Sequence, residues 1–242
     1  MVEIRNLNKS FSVGKGKRKV TLTPLEDVSF EIADAQKAGL TGKSGQGKTT
    51  LANVLCGSCA PCGGQVLFDG QPLWSDKGRY DKELGKKVQL VPQQPLLALD
   101  PAQRAGDAVK EALIVSKNAR HGKDAKEKAL ALFERVGLEN TLWTRLPAHL
   151  SGGQAQRLVI ARALALKPSL LVCDESTSML DAVTQKGILE LIDSLVKELG
   201  LSVLFISHDA QITREFCDKV YLLDCGRVQN ANDADADTKT RL

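Results

Sequence analysis

The sequence has no hydrophobic run that approaches the roughly 20 residues needed to cross a bilayer. Its first residues, MVEIRNLNKSF, also lack the apolar core of a signal peptide and the basic pattern of a transit peptide. These absences argue against a membrane-spanning segment, and nothing marks the chain for secretion. We therefore expect a soluble protein of the cytoplasm.

Neither charge nor cysteine is concentrated as in a nucleic-acid-binding or disulfide-rich protein. The net charge of +4 arises from 33 basic and 29 acidic residues, and so small an excess argues against a nucleic-acid partner. The six cysteines are scattered, which fits a reducing compartment better than a disulfide framework. A hydrophobic content of 43% over 242 residues suffices for the core of one domain with at most a small subdomain.

Strand and helix patterns follow one another in the order of an α/β protein. Alternating apolar residues in VEIRNL, KVTLTPL and DVSFEI predict an antiparallel sheet, with the basic run at 14–19 as a solvated hairpin loop. From Ala38 a parallel α/β core is predicted, with strands in AGLT, QVLFDG, KKVQLVPQ, SLLVCD, LSVLFIS and KVYLLDCG. Only helical patterns fill about 95–160, which we expect to be an insertion, and the acidic tail at 231–242 is expected to be disordered.

A glycine-rich segment stands between the first core strand and its helix. GKSGQGKTT satisfies G-x-x-x-x-G-K-[ST], in which backbone N–H groups wrap phosphates and the helix dipole adds positive potential. Lys48 would reach the β and γ oxygens, and the Thr49 hydroxyl would bind Mg²⁺. A chance match has odds on the order of one in a hundred. We predict a nucleotide site of Gly42, Lys43, Ser44, Gly45, Gln46, Gly47, Lys48, Thr49 and Thr50.

Polar residues follow three of the other predicted core strands. Asp174 and Glu175 end LLVCDE, where the first could hold Mg²⁺ through water and the second could polarise an attacking water. His208 ends LFISH, a place suited to sensing a γ-phosphate. Gln93 closes VQLVPQ, where its amide could ligate Mg²⁺ and orient water. Taken singly, each is also common at a surface or in a loop, but the presence of the phosphate loop favours a functional role for Asp174 and Glu175.

A second phosphate-binding pattern occurs in LSGGQAQR. Ser151 is a good N-cap for the helical pattern RLVIARALAL, and the glycines Gly152 and Gly153 let a ligand approach bare backbone. One nucleotide site needs only one such cradle, so the duplication requires an explanation.

These motifs, with SMLD at 178–181, occur in the order found in the ATP-binding cassette (ABC) family, which the chain resembles over about residues 1–230. The resemblance implies a P-loop NTPase core of the α/β class, with an N-terminal antiparallel β subdomain and the inserted α-helical subdomain. It also explains the second cradle. Cassettes of this family pair head to tail, and the LSGGQ of one chain closes over the ATP held by the other, which implies a contact in trans by Ser151, Gly152, Gly153 and Gln154.

The resemblance also assigns roles to single residues. Phe11 matches the aromatic residue that stacks on adenine, although it could equally be a core residue of the first sheet. Glu175 would be the catalytic base and His208 the switch histidine, while Asp181 would span the dimer seam. The implied Mg²⁺ site consists of Thr49, Gln93 and Asp174. Ser176, where the family usually has proline, and Met179, where alanine is commoner, are departures from which little effect is expected.

Within the family, VPQQPLLALDP, LPAHLSGGQAQR and the spacing of the insertion look most like ATPases of bacterial peptide and nickel importers. Such a chain is one of two cassettes, in a homodimer or a paralogous heterodimer, peripheral on the cytoplasmic face of the inner membrane. It lies beneath a pair of permease subunits, to which a solute-binding protein delivers the substrate. The chain ends soon after LLDCGRV, without the long extension of many peptide-importer cassettes, which favours nickel or a metal chelate over peptides.

Two other functions stay open at this point. A cassette ATPase without a transporter, acting in a soluble complex or in nucleic-acid maintenance, usually carries a coiled-coil insertion, tandem cassettes or strong basic patches, and none is present in the sequence. A nucleotide-binding regulator that does not hydrolyse ATP is disfavoured by the presence of Glu175 and His208.

The cysteines of CGSCAPC have the C-x₂-C-x₂-C spacing of a metal site. Against that interpretation, Cys56 belongs to the helix after the phosphate loop, Gly57 looks like the C′ residue of that helix, and no fourth ligand is spaced nearby. We therefore expect Cys56, Cys59 and Cys62 to lie in a plain connecting loop. Cys173, Cys217 and Cys225 are predicted to be small buried hydrophobic residues.

Overall fold

The computed structural model describes residues 1–14 and 20–231. From residue 15 onward the predicted hairpin loop lies outside this range, as does the predicted disordered tail beyond Ala231. The chain forms two compact units, Met1–Gly85 with the chain from Ser202 onward, and Lys86–Leu201. The helical insertion predicted at about 95–160 falls inside the second unit, and its boundaries as a subdomain stay a prediction.

The described residues form ten strands and seven α-helices. The strands are β1 (Val2–Val13), β2 (Val20–Ile32), β3 (Lys37–Thr41), β4 (Gly63–Phe68), β5 (Gln71–Pro72), β6 (Val88–Val91), β7 (Leu170–Asp174), β8 (Ser202–Ile206), β9 (Lys219–Asp224) and β10 (Arg227–Asn230). The helices are α1 (Lys48–Leu55), α2 (Lys82–Gly85), α3 (Ala105–Val115), α4 (Lys123–Arg135), α5 (Gly152–Leu164), α6 (Ala182–Leu199) and α7 (Ala210–Phe216). Within these residues, no helix is both long and apolar enough to span a membrane.

The first unit begins with the predicted antiparallel sheet. β1 and β2 pair from Val2 opposite Ile32 to Val13 opposite Val20, as two long strands rather than the three short ones predicted. β4 pairs antiparallel with the other edge of β1, and β5 pairs with β4. The prediction of an antiparallel sheet is therefore confirmed. β4 is the strand predicted in QVLFDG, and it joins this sheet rather than the parallel core.

The parallel sheet of the first unit is centred on β3. β8 and β9 flank β3 in parallel, and β10 pairs antiparallel with β9. All five residues of β8 are buried, as expected for a strand covered on both faces. Phe30 of β2 packs on Tyr221 of β9 with ring centroids 4.7 Å apart, so an aromatic contact joins the two sheets of this unit.

The second unit combines a pair of parallel strands with helices. β6 and β7 pair in parallel, and the chain between them contains α3, α4, α5 and the short 3₁₀ helices Pro95–Ala98, Asn140–Thr144 and Pro147–His149. On α6, Ile188, Leu191, Ile192 and Leu195 are buried as their spacing predicts. The prediction was wrong for Leu199, the last residue of the helix, which is 44% exposed.

Candidate nucleotide site

The phosphate loop of the first unit depends on glycine at fixed positions. Gly42 and Gly47 have φ of +152° and +107°, and a Cβ added to either would lie 2.3 Å from a backbone oxygen, that of Leu223 or Pro24. Any side chain would therefore displace the loop. α1 begins directly after Gly47 and has no acidic residue in its first turn, so the positive end of its dipole is not neutralised.

Lys48 is folded over this loop. Its side-chain nitrogen donates to the carbonyl oxygens of Gly42, at 2.7 Å, and Lys43, at 3.0 Å. The ammonium thus lies on the concave side of the loop, where phosphate oxygens would compete with the two carbonyls. Next along the chain, Thr49 is exposed, so its hydroxyl is accessible, and hydroxyl oxygens belong to the ligand class that Mg²⁺ prefers.

The turn between β9 and β10 holds the phosphate loop from the side. Gln46 accepts a 2.8 Å hydrogen bond from the backbone N–H of Cys225, 179 positions away. Cys225 is exposed and has a left-handed φ of +46°, so the prediction that it is buried was wrong. Cys217 is half-buried, and only Cys173 is fully buried as predicted.

Phe11 and His208 are the other predicted site residues of this unit. Phe11 is 40% exposed and pairs in register with Leu22, which decides against a core position. The Lys9 ammonium lies 4.9 Å from the Phe11 ring centroid. His208 is exposed in the turn after β8, and Asp209, which caps α7 by accepting from Gln211 and Ile212, fixes that turn. The roles of Phe11 in stacking and His208 in sensing phosphate stay predictions.

In the second unit, Asp174 ends β7 and Glu175 begins a strained turn. Asp174 is only 7% exposed, whereas Glu175 is half-buried with a φ of +46°. A left-handed conformation costs a residue with a side chain roughly 1–2 kcal/mol. The hydroxyl and backbone N–H of Ser178 both donate to the Glu175 carbonyl, at 2.9 and 3.1 Å, and hold the turn. Sequence patterns gave no sign of this strain.

Gln93 and Glu175 are in direct contact. The side-chain amide of Gln93 donates to a Glu175 carboxylate oxygen at 3.0 Å. β6 ends at Val91, so Gln93 lies two residues beyond the strand that it was predicted to close. Gln93 and Glu175 were predicted separately from the sequence, and the structure brings their side chains into contact. The Gln93 amide thereby fixes the orientation of the Glu175 carboxylate.

The LSGGQ segment forms the start of α5. The Ser151 hydroxyl accepts from the Gln154 N–H at 3.2 Å, and the Gln154 side chain accepts from the Ser151 N–H at 2.9 Å, which completes a capping box. The predicted N-cap is confirmed. The first turn has no acidic residue, so this helix start also favours an anion.

The glycines after Ser151 have a packing role that the sequence did not reveal. A Cβ added to Gly153 would lie 2.5 Å from the Thr184 methyl carbon, and one added to Gly152 would lie 3.3 Å from Leu180. Gly153 therefore lets the start of α5 approach the start of α6.

Asp181 caps α6. Its carboxylate accepts from the Thr184 hydroxyl at 2.7 Å and from the N–H groups of Val183 and Thr184. The bond from the Thr184 hydroxyl is the main reason that the pKa of Asp181 is lowered. The carboxylate is exposed, so it can cap its own helix and still contact a second chain. Its role at a dimer seam stays a prediction.

The CGSCAPC segment is a helix end followed by a loop. Gly57, with φ +82°, donates to the Val54 carbonyl, and Ser58 donates to the Asn53 carbonyl at 2.9 Å, the two bonds of a Schellman motif. Gly57 is thus the predicted C′ residue. Among the described residues, no group of three or more His, Cys, Asp or Glu side chains is placed to hold a metal ion.

Comparison with known proteins agrees with this geometry. A phosphate loop ahead of a helix and a strand that ends in Asp-Glu define the class of P-loop nucleotide hydrolases. The sequence model described as ABC transporter matches residues 25–178. The chain therefore belongs to the ABC transporter family, and it is an ATP-binding protein and an ATPase of that type.

Relatives named for peptide transport match most of the chain. The oligopeptide transport ATP-binding protein OppF of Haemophilus influenzae is 35% identical over 233 residues, which are 94% of this chain and 70% of that protein. OppF of Bacillus subtilis is 34% identical over 236 residues, 97% of this chain and 76% of that protein. A putative peptide import ATP-binding protein of Brucella ovis is 35% identical over 228 residues, 94% of this chain and 70% of that protein.

Solved cassettes match the fold. The dimeric post-hydrolysis state of the ATP-binding cassette MJ0796, bound to ADP and Pi, has a TM-score of 0.82 at 30% identity, over 95% of this chain and 97% of that one. The structure of cbiO1 from Clostridium perfringens, part of the ABC transporter complex cbiONQ, has a TM-score of 0.78 at 26% identity, over 99% of this chain and 92% of that one. The predicted fold class, a P-loop core with an antiparallel β subdomain and helices, is thereby confirmed.

Proposed function

We propose that this chain is the ATPase subunit of an importer that takes up peptides through a membrane permease. The observation that carries the substrate class is the 35% identity to an oligopeptide transport ATP-binding protein over 94% of the chain. No comparable observation favours nickel or a metal chelate, which the sequence analysis had preferred. A solute-binding protein would deliver the peptide to the permease, at whose cytoplasmic side this chain would lie on the inner membrane.

The chemical roles follow from the geometry of each unit. The phosphate loop and Lys48 would bind the β and γ phosphates of ATP, because both present hydrogen-bond donors and positive potential to one concave surface. Thr49, Gln93 and Asp174 would be the ligands of Mg²⁺, which would neutralise phosphate charge. Glu175 would take the proton of the attacking water, and its contact with Gln93 would orient the carboxylate. His208 would contact the γ-phosphate.

A second cassette would complete each site. The start of α5 is capped by Ser151 and has no acidic residue in its first turn, so Ser151, Gly152, Gly153 and Gln154 would form a further anion site within the second unit. We propose that it closes over the ATP of a partner chain, in a homodimer or with a paralogous cassette, and that the exposed Asp181 lies at that seam. The dimeric structures of the MJ0796 cassette support the pairing of two cassettes.

The substrate class is tested in the source strain with the gene for this chain deleted. Uptake of a radiolabelled tripeptide and of ⁶³Ni²⁺ is measured after complementation with the wild type or with Glu175→Gln. We expect tripeptide uptake to be lost in the deletion strain and restored only by the wild type. Loss of ⁶³Ni²⁺ uptake with normal peptide uptake would replace the proposal by nickel import, and unchanged uptake of both would remove the importer function.

A further inference from the structure

A groove of about 580 Å³ in the second unit lies apart from the residues assigned to nucleotide chemistry. One wall is a single face of α4, with Lys128, Ala131, Leu132 and Arg135 at i, i+3, i+4 and i+7. The other wall is formed by the C-terminal parts of three helices and one turn, through Leu113, Leu164, Ala165, Lys167, Pro168 and Leu199. The volume is in the range of small-molecule sites.

The floor of the groove is apolar. Leu113 and Leu164 are buried beneath it, Leu132 is half-buried, and Leu199 is 44% exposed. An apolar chain laid along this floor would cover surface that is now in contact with water. The exposure of Leu199, which contradicts the pattern of α6, is explained if this residue serves as part of a binding surface.

The rim of the groove is cationic. Lys128, Arg135 and Lys167 line it, and none of the described residues that line the groove is acidic. Lys128 is paired with Asp124 at 3.0 Å. By contrast, the side chains of Arg135 and Lys167 make no hydrogen bond or ion pair with any other residue in the part of the chain that the structure describes. Two uncompensated positive charges therefore border an apolar floor.

The partial negative charges at the C-terminal ends of the helices do not neutralise these cations. The C-terminus of a helix carries about half a negative charge, and its effect falls off within the last turn, so helix ends offset the charges of Arg135 and Lys167 only in part. The Ala165 carbonyl at the end of α5 is already satisfied by neutral donors, the Ser116 hydroxyl at 3.1 Å and the Asn118 amide at 2.9 Å. A surplus of positive charge remains for a ligand.

We propose that this groove binds a soluble anionic amphiphile, a carboxylate on an unbranched apolar chain of about eight to ten carbons, for which each buried methylene strengthens binding roughly fourfold. The chain would lie on the leucine floor and the carboxylate between Arg135 and Lys167. The small volume of the groove and the cations at its rim favour such a ligand over a bilayer surface or a protein partner. The site is separate from ATP hydrolysis, and it lies at the opposite ends of α5 and α6 from their caps Ser151 and Asp181.

The test uses the full chain and three probes at pH 8, the carboxylates below their micellar concentrations and the alcohol below its solubility limit. Binding of decanoate, hexanoate and decanol is measured by isothermal titration calorimetry. We expect saturable decanoate binding that is at least tenfold tighter than that of hexanoate, which has four methylenes fewer, and tighter than that of the uncharged decanol. Equal affinity for decanol and decanoate would overturn the proposal, as would the absence of saturable decanoate binding.

Charge reversals locate the site. Arg135→Glu and Lys167→Glu affect exposed side chains, so both variants should fold, which circular dichroism verifies. Together they should weaken decanoate binding tenfold or more, while Lys126→Glu, an exposed position of α4 outside the groove, should leave it unchanged. An equal loss in Lys126→Glu would show that only general charge matters. Phosphatidylglycerol vesicles and an acidic apolar peptide are titrated in parallel, and capture of either through Arg135 and Lys167 without decanoate binding would replace the proposed ligand.

Discussion

The Gln93 amide holds one carboxylate oxygen of Glu175 at 3.0 Å across 82 positions of sequence. Glu175 is also held from its own side, because the Ser178 hydroxyl and N–H fix its carbonyl in a left-handed turn. A side chain pinned at both backbone and carboxylate loses little conformational freedom when it acts, which suits a base that must orient one water molecule.

Glu175→Gln should keep ATP binding and slow hydrolysis by roughly 10²- to 10⁴-fold, the usual contribution of a general base. The substituted amide can still accept the hydrogen bond from Gln93, so the turn should keep its shape. The measurement is steady-state ATPase activity with nucleotide affinity determined in parallel, and exposed Glu134→Gln is the control. Unchanged hydrolysis in the variant would assign the base to another residue.

Lys48→Ala should remove ATP binding, because the point charge and donor on the concave side of the loop are both lost. Nucleotide affinity is compared by equilibrium dialysis with that of Lys77→Ala, an exposed lysine of the same unit. Affinity like that of the wild type in Lys48→Ala would contradict the assignment of the phosphate site.

Mixing two inactive proteins should restore ATPase activity if LSGGQ acts in trans. A Lys48→Ala homodimer and a Gly152→Asp homodimer each have two broken sites, whereas a mixed dimer has one site with both defects and one with neither. A mixture of wild type with Lys48→Ala is the control for activity that needs two working sites. If that control is active and the two-variant mixture is not, the trans site does not form in a homodimer, and a paralogous cassette must be tested.

Gly153→Ala should destabilise the chain by about 1–3 kcal/mol, the usual cost of overpacking, because the new Cβ would lie 2.5 Å from the Thr184 methyl carbon. Thr184→Ser removes that methyl group and keeps the hydroxyl that donates a hydrogen bond to Asp181. The double variant Gly153→Ala/Thr184→Ser should therefore recover most of the lost free energy of unfolding. Urea unfolding measures both effects. Gly152→Ala, with a contact of 3.3 Å, serves as the milder comparison, and failure of the serine substitution to rescue would show that the clash is not the cause.

Cys62 should react with iodoacetamide near neutral pH before Cys173 does. The Ser10 backbone N–H and then its hydroxyl lower the pKa of Cys62, so more of this exposed thiol is ionised, whereas burial raises the pKa of Cys173 to about 12. Peptide mass spectrometry over a pH series gives the two rates. Ser10→Ala should slow the reaction of Cys62 only in part, because the backbone donor remains, and faster labelling of Cys173 would contradict the assignment.

The sequence was sufficient to predict features that are formed by residues close together in the chain. Ser151 and Gln154 form a capping box three residues apart, and the phosphate loop lies directly between β3 and α1, so both could be recognised from short patterns. The wrong prediction for Cys225 came from residue type alone. Cys225 and Gly226 form the two-residue turn between β9 and β10, and this position in a turn outweighs the apolar character of the thiol.

Contacts between distant parts of the chain could not be predicted. Nothing in the pattern of β4 states that it pairs with β1, and neither Gln93 nor Glu175 carries a signal that the two side chains meet. The left-handed φ of Glu175 was missed for the same reason, because the Ser178 bonds that stabilise it depend on the folded turn.

The position of β3 in its sheet has a consequence during protein synthesis. Both strands that flank it within the first unit are translated far later, since Thr41 bonds to Tyr221 across 180 positions. At about 5–20 residues per second a ribosome needs roughly 10–35 s to make that stretch. Until Ser202 is made, β3 has none of its strand partners from its own unit, and all of Lys86–Leu201 is translated before the first of them. The nascent chain thus carries an unpaired apolar strand close to its phosphate loop for many seconds. Its exposed apolar side chains and unpaired backbone groups make this segment a binding site for a chaperone.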